Sequence, residues 1–205
     1  MKFLKSITIG IFFIMLFPLV SIAQSLGLGF KLGADVSKIK GMSLNNDFKG
    51  HLMGGVQAHL RVGRLGLQAE ANLTRTALST GDNFYTVFRD FVKSTSTSGG
   101  ADILLTELGI PVMLDLRLLG GLRVEVGIQY SLVINAKDKN DYLIDVNKVM
   151  TDGYMSGLLG AKLEIGKLQV GGRYLQGFDN MNQTPVNESW KNGRYQLYVA
   201  YLLWK

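Results

Sequence analysis

The sequence predicts an all-β protein: an eight-stranded antiparallel up-and-down transmembrane β-barrel with short periplasmic turns and four longer extracellular loops. Three observations predict it. Apolar and polar residues alternate with period two in eight runs, and such alternation marks a strand with unlike faces. The apolar faces of these runs hold no charged residue, and Thr106 is their only plainly polar member. The connections between runs alternate between short and long.

The runs follow in order. Leu26 to Val36 sets Leu26, Leu28, Phe30 and Leu32 against Gly27, Gly29, Lys31 and Asp35. His51 to Val62 places Leu52, Val56 and Leu60 opposite His51, Gln57, His59 and Arg61. Leu65 to Thr74 and Ile103 to Leu116 repeat the pattern, with Gln68, Glu70, Asn72, Glu107 and Asp115 on their polar faces. Leu122 to Asn135 sets Val124, Val126 and Ile128 against Arg123, Glu125, Gln129, Ser131 and Asn135. Tyr154 to Ile165 and Leu168 to Leu175 carry Ser156, Lys162, Glu164, Gln169 and Arg173 on the polar side. Arg194 to Trp204 sets Tyr195, Leu197, Val199, Tyr201 and Leu203 against Arg194, Gln196, Tyr198 and, less cleanly, Ala200, Leu202 and Trp204. Most runs exceed the roughly 5–6 residues of a common globular strand and reach the roughly 9–11 that a tilted membrane-spanning strand needs. Short turns fall at Gly63-Arg64, 117–121 and Gly166-Lys167, and long loops at 37–50, 78–102, 136–153 and 176–193. Tight turns at one end and long loops at the other are the pattern of outer-membrane barrels.

Alternation alone does not say which face points out, and a secreted lipocalin-like binding barrel would turn its apolar face inward. Composition decides for the membrane. Many of the glycines stand on the polar faces, among them Gly27, Gly29, Gly33, Gly55, Gly66, Gly109, Gly127, Gly160 and Gly171, as a crowded lumen requires and a solvated surface does not. Asp35, Glu70, Glu107, Asp115, Glu125 and Glu164 are balanced on those faces by Lys31, Arg61, Arg123, Lys162, Arg173 and Arg194. A charge on a lipid face costs up to about 2–4 kcal/mol near the midplane, so a face without any suits lipid. Closure pairs every backbone group internally, as hydrocarbon demands.

The remaining composition bounds the chemistry. The 205 residues hold 25 Gly, 2 His and no Cys, with a net charge of +6. Without Cys there is no disulfide scaffold, no Cys nucleophile and no Cys-ligated metal. Lys2 and Lys5, the apolar run Ile7 to Val20, and the small residues Ser21 and Ala23 before Gln24 read as a cleaved signal peptide over 1–23, leaving an outer-membrane barrel domain over 24–205. The mature chain would carry +4, with no clustered Lys/Arg footprint for nucleic acid.

The stretch ELGIPVMLDLRLLG, Glu107 to Gly120, resembles the fourth strand of the PorT-like outer-membrane β-barrel family of the Bacteroidetes type. VEVGIQYSLVINAK and VGGRYLQGFDNM are similar to that family's fifth strand and to its seventh strand with the following loop. The resemblance spans 24–205, and only the Ile-Pro and Arg-Tyr strands are specific to it. It implies a Gram-negative cell envelope and residence in the outer membrane. It transfers no catalytic motif.

Candidate chemistry is sparse. His51 and His59 share a face but lie about 26 Å apart at roughly 3.3 Å per residue, too far for one metal. A two-residue turn at Gly63-Arg64 would pair Val62 with Leu65, His59 with Gln68, and Gln57 with Glu70. Pairing Leu116 with Leu122 would set Asp115 opposite Arg123. Such a network fills and neutralises a narrow lumen. A lipid-modifying enzyme would need a His with a Ser and an acid at the rim, where His51, near the loop end, would have Asp47 and Ser79 as candidate neighbours. Phe84, Phe88, Phe91 and Val92 stand at helical spacing before the Ser/Thr-rich 94–98, as a short helix packed over the barrel mouth or docking a partner would have them. Tyr142, Leu143, Ile144, Val146 and Trp190 are candidate contact points in the other loops. The expectation is a non-enzymatic outer-membrane protein with a structural or interaction role through its extracellular loops. Its partners would be the bilayer and a protein or surface polymer. No catalytic, cofactor-binding or metal-binding residue is assigned. A small pore or transport barrel and a lipid-modifying enzyme are the alternatives within the membrane.

Overall fold

The computed structural model describes residues 24–81, 83–93 and 100–204. The signal-peptide segment and the Ser/Thr-rich 94–98 lie outside them. Nine strands form one antiparallel sheet: β1 Gln24–Lys40, β2 Leu44–Asn45, β3 Lys49–Val62, β4 Leu65–Thr80, β5 Asp102–Arg117, β6 Leu122–Asp138, β7 Gly153–Ile165, β8 Leu168–Gly177 and β9 Lys191–Trp204. β2 is a two-residue strand in the first long loop that pairs with the end of β4. The other eight close on themselves, because β1 pairs with β9 and β4 with β5. The barrel is therefore eight-stranded, as the alternation predicts.

Local chemistry sets the turns. Gly63 and Gly166 have φ of 60° and 61°, whereas the residues after them, Arg64 and Lys167, are not in the positive-φ region. A glycine at the first central position alone defines type II′ turns, whose twist suits a hairpin. Val62 then pairs with Leu65, His59 with Gln68 and Gln57 with Glu70, the predicted register. The turn between β5 and β6 is longer. Leu118 to Gly121 form it, Gly120 takes φ 53°, and Arg117 pairs with Arg123. Leu116 therefore faces Val124 rather than Leu122, and Asp115 faces Glu125. The expected Asp115–Arg123 ion pair still forms, diagonally, with Nε 2.7 Å from Oδ2.

Side chains sort by face as expected. The outward faces are exposed aliphatics and aromatics, and the inward faces are buried polar groups. Two bulges change individual assignments. Glu107 pairs with Val133 but Thr106 with Asn135, so Ile134 is skipped and Asn135 points outward instead of into the lumen. Leu28 pairs with Trp204 but Gly29 with Leu202, so Leu203 is skipped and Trp204 turns outward at 62% exposure. A bulge adds one residue to one strand and inverts the alternation beyond it, a feature that period counting does not register.

Candidate functional site: filled lumen, loop cap and wall cleft

All six luminal acids and all six luminal bases are engaged in ion pairs, in two clusters. The larger runs from the turn end inward. Arg61 bridges Glu164 and Asp115. Arg123 and Lys162 also reach Asp115, and Lys162 continues to Glu125 at 2.8 Å. Arg173 then clamps two carboxylates: its Nη1 and Nη2 donate to Glu70 at 2.8 and 2.7 Å, and its Nε donates to Glu125 at 2.7 Å. Lys31 donates to Glu70 at 2.6 Å and lies 3.9 Å from the centre of the Tyr198 ring. Gln57, Gln68, Asn72 and Gln169 take up remaining hydrogen-bonding positions.

The smaller cluster lies toward the loops. Arg194 pairs with Glu107 at 2.5 Å and with Asp35 at 3.4 Å. It also donates to Thr76 and to Tyr154, and the Tyr154 hydroxyl contacts Glu107 at 3.0 Å. Met113, Leu158 and Leu175 form a small buried apolar group. Along their strands they stand between Asp115 and Glu107, between Lys162 and Tyr154, and just beyond Arg173, so they separate the two clusters. Desolvated charges are tolerable only when paired and hydrogen-bonded; each of the twelve has an ion-pair partner, while Asp35 Oδ1, Arg61 Nε and Arg194 Nη1 have no hydrogen-bond partner among the described residues.

The inward glycines make room for these groups. A Cβ at Gly66 would fall on the Asp115 carboxylate, and one at Gly27 on the His59 ring. At the turn end, a cavity of about 410 Å³ lined by Arg61, Arg117, Arg123 and Glu164 forms a vestibule that stops at this network.

Over the other end the long loops share a second hydrophobic core. Ile39, Leu44, Leu78, Phe84, Phe88, Val92, Tyr142, Leu143, Val149, Met150, Met181 and Trp190 are all buried in one cluster with Ile103, Leu105 and Tyr154 of the barrel. Phe84 to Val87 form the short helix α1, followed by a 3₁₀ turn at Arg89–Phe91. The Phe84 and Phe88 rings stack at 4.6 Å, and Trp190 lies 5.3 Å from Phe88. The bridge between Val92 and Leu143 joins the second long loop to the third, and that between Met150 and Asn182 joins the third to the fourth. The helical spacing thus packs over its own barrel. Tyr142, Leu143 and Trp190 are not surface contact points, whereas Ile144 is exposed. The sequence signal was present as apolar residues in loops, but their mutual packing depends on loops far apart in the chain.

The two histidines stay apart. His59 is buried in the lumen, and neither ring nitrogen has a hydrogen-bond partner among the described residues. His51 lies half-buried at the loop-side rim. Ser79 donates to Asp102 at 2.5 Å, not to His51, so the Ser–His contact that a nucleophile would use is not formed.

His51 borders a gap in the wall. β3 pairs with β4 only from Gly54↔Leu73 down to Val62↔Leu65. Lys49 to Met53 remain paired with β1, and Thr74 to Leu78 with β5. Among the described residues the two strands are not paired with each other above Gly54. A cavity of about 420 Å³ opens there, lined by Gly50, His51, Leu52, Leu73, Thr74, Arg75 and Thr106.

Comparison with solved structures follows from this geometry. Neisserial surface protein A is 14% identical with a TM-score of 0.50, over 85% of this chain and 96% of that one. The fold is that of an outer-membrane β-barrel. The attachment invasion locus protein Ail of Yersinia pestis, solved with the heparin analogue sucrose octasulfate, is 10% identical with a TM-score of 0.48, over 87% of this chain and 99% of that one. The translocator domain of the autotransporter NalP from Neisseria meningitidis is 14% identical with a TM-score of 0.32, over 90% of each chain. At these identities the likeness is one of fold. No family model matches the chain, and no curated protein matches it.

Proposed function

We propose that this chain is a non-enzymatic outer-membrane β-barrel that passes no solute and works through its loop-side cap, which meets a protein or a surface polymer outside the cell. The observation that carries this reading is the lumen: six acids and six bases pair with one another inside the barrel, so no luminal charge is spare for a substrate. The cap supports the second half. Its loops share one core, so their outer residues, including the exposed Met42 and Ile144 and the Lys93–Asp141 ion pair, stand on a fixed platform. Fixed loops bind with less loss of conformational entropy than free ones. The Ile-Pro strand at Glu107 to Gly120 and the Arg173-Tyr174 strand support affiliation with the PorT-like barrels, and the apolar leader supports export to the outer membrane.

Planar-bilayer recording on the refolded protein tests the closed lumen. The expected trace has no stepwise current at 1 M salt. Reproducible single-channel steps that vanish on thermal unfolding would replace this reading with a pore.

A further inference from the structure

The gap between β3 and β4 is not a shallow surface feature. His51 and Thr74 belong to inward-facing positions, whereas Leu52, Leu73, Arg75 and Thr106 belong to outward ones, and all six line the same cavity. The cleft therefore reaches residues of both faces of the wall. A second cavity of about 190 Å³ continues above it, lined by Lys49, His51, Ser79, Asp102 and Lys139 among others. Arg75, Lys139, Arg194 and Lys49 all act electrostatically on the His51 ring. Arg194 is already paired with Asp35 and Glu107, and Asp102, the acid lining the second cavity, already accepts from Ser79. The lip thus holds an excess of positive charge over an unpaired strand edge.

Its height is informative. Leu52 lies ten residues from Val62, or about 33 Å along the strand at roughly 3.3 Å per residue. At a strand tilt near 40° that is about 25 Å above the turn end, the height of the apolar band of such barrels. Below the opening, on the same seam, Ala58, Ala69 and Ala71 leave an outward apolar groove of about 380 Å³ between Leu28, Phe30 and Val56. Cations sit at headgroup level, and an acyl-sized groove runs beneath them.

We infer that the β3–β4 cleft binds a phosphorylated lipid of the outer leaflet, its phosphate held by Lys49, Arg75 and Lys139 and one acyl chain lying along the Ala58–Ala71 groove. The inference rests on the membrane placement proposed above. At this headgroup level Lys49 to Met53 and Thr74 to Leu78 are not paired across the cleft, and a phosphate offers acceptors to the N–H groups of those edges as well as to the cations.

Native mass spectrometry of the detergent-folded barrel tests it, with dioctanoyl phosphatidic acid, dioctanoyl phosphatidylcholine and inorganic phosphate as separate probes. Phosphatidic acid should be retained at least tenfold more than phosphatidylcholine, and inorganic phosphate should not be retained. Arg75→Gln with Lys139→Gln should cut that retention at least tenfold, and Lys148→Gln, which lines neither cavity, should leave it unchanged. Equal retention of the two lipids, or no loss in the double variant, overturns the assignment. Retention of inorganic phosphate alone makes the site an anion site without a lipid, and a dimer independent of the charge variants makes the open edges a pairing site for a second copy; both overturn it. Unboiled gel mobility of the same samples reports the barrel itself, so failure of the membrane reading is seen separately.

Discussion

Arg173 holds the centre of the luminal network, and its removal gives a calculable penalty. The guanidinium donates to both oxygens of Glu70, to both of Glu125 and to the Tyr198 hydroxyl, all at 3.2 Å or less. Replacing it with Met keeps the apolar volume and removes every one of these bonds. Glu70 keeps Lys31 and Glu125 keeps Lys162, so neither acid is stranded, but the lumen acquires a net charge of −1. Removing one partner of a buried pair costs about 3–5 kcal/mol. With a urea slope of about 1–3 kcal/mol/M, the unfolding midpoint should fall by roughly 1–5 M. Equilibrium unfolding from lipid vesicles, followed by the fluorescence of Trp190 and Trp204, measures this. Arg173→Gln combined with Glu125→Gln restores neutrality and should recover at least about 2 kcal/mol relative to Arg173→Gln alone, a coupling that a double-mutant cycle isolates. A loss below about 1 kcal/mol for Arg173→Met, or additive effects in the cycle, would refute a buried and mutually dependent network.

Other expectations follow from the same geometry. Trp190→Ala removes the ring packed on Phe88 and should destabilise the cap by about 3–5 kcal/mol; limited proteolysis should then cut the loops while the unboiled barrel band persists. Gly66→Ala forces a methyl onto the Asp115 carboxylate and should cost about 1–3 kcal/mol in the same urea assay, whereas Gly50→Ala, whose methyl would meet Val36 Cγ2 at an ordinary 3.9 Å, should cost less than half of that. Val126→Arg places a charge on the outward face and should cost about 2–4 kcal/mol in bilayers; an unchanged midpoint would mean that this face meets water.

Most of the barrel is visible in the sequence because a strand with lipid on one side and a packed lumen on the other must alternate. The register at Val62–Leu65 follows from a two-residue turn led by glycine, and the luminal charge balance follows from counting Asp35 through Arg194. What escapes is whatever breaks the period or depends on distant segments. The skipped residues Ile134 and Leu203 invert the faces beyond them, so Asn135 and Trp204 are assigned to the wrong side. The four-residue turn at Leu118 to Gly121 shifts the Asp115 register by two, although the long Arg123 side chain still reaches its acid. The strands also run past the apolar alternation, as β1 does to Lys40, because the cap rather than lipid covers their ends. Phe84 and Phe88 in one loop and Trp190 in another read as unrelated features until those loops meet. The wall gap is invisible because Leu52 and Leu73 alternate as any lipid-facing pair would.

The central claim is a closed barrel with its apolar face turned to lipid. Electrophoretic heat-modifiability of the mature chain refolded in detergent tests it most directly. The account predicts a fast-migrating band in the unboiled sample that slows to the unfolded position on boiling. A single position with and without boiling, from a chain that stays soluble with no detergent, would contradict it and turn the apolar faces inward.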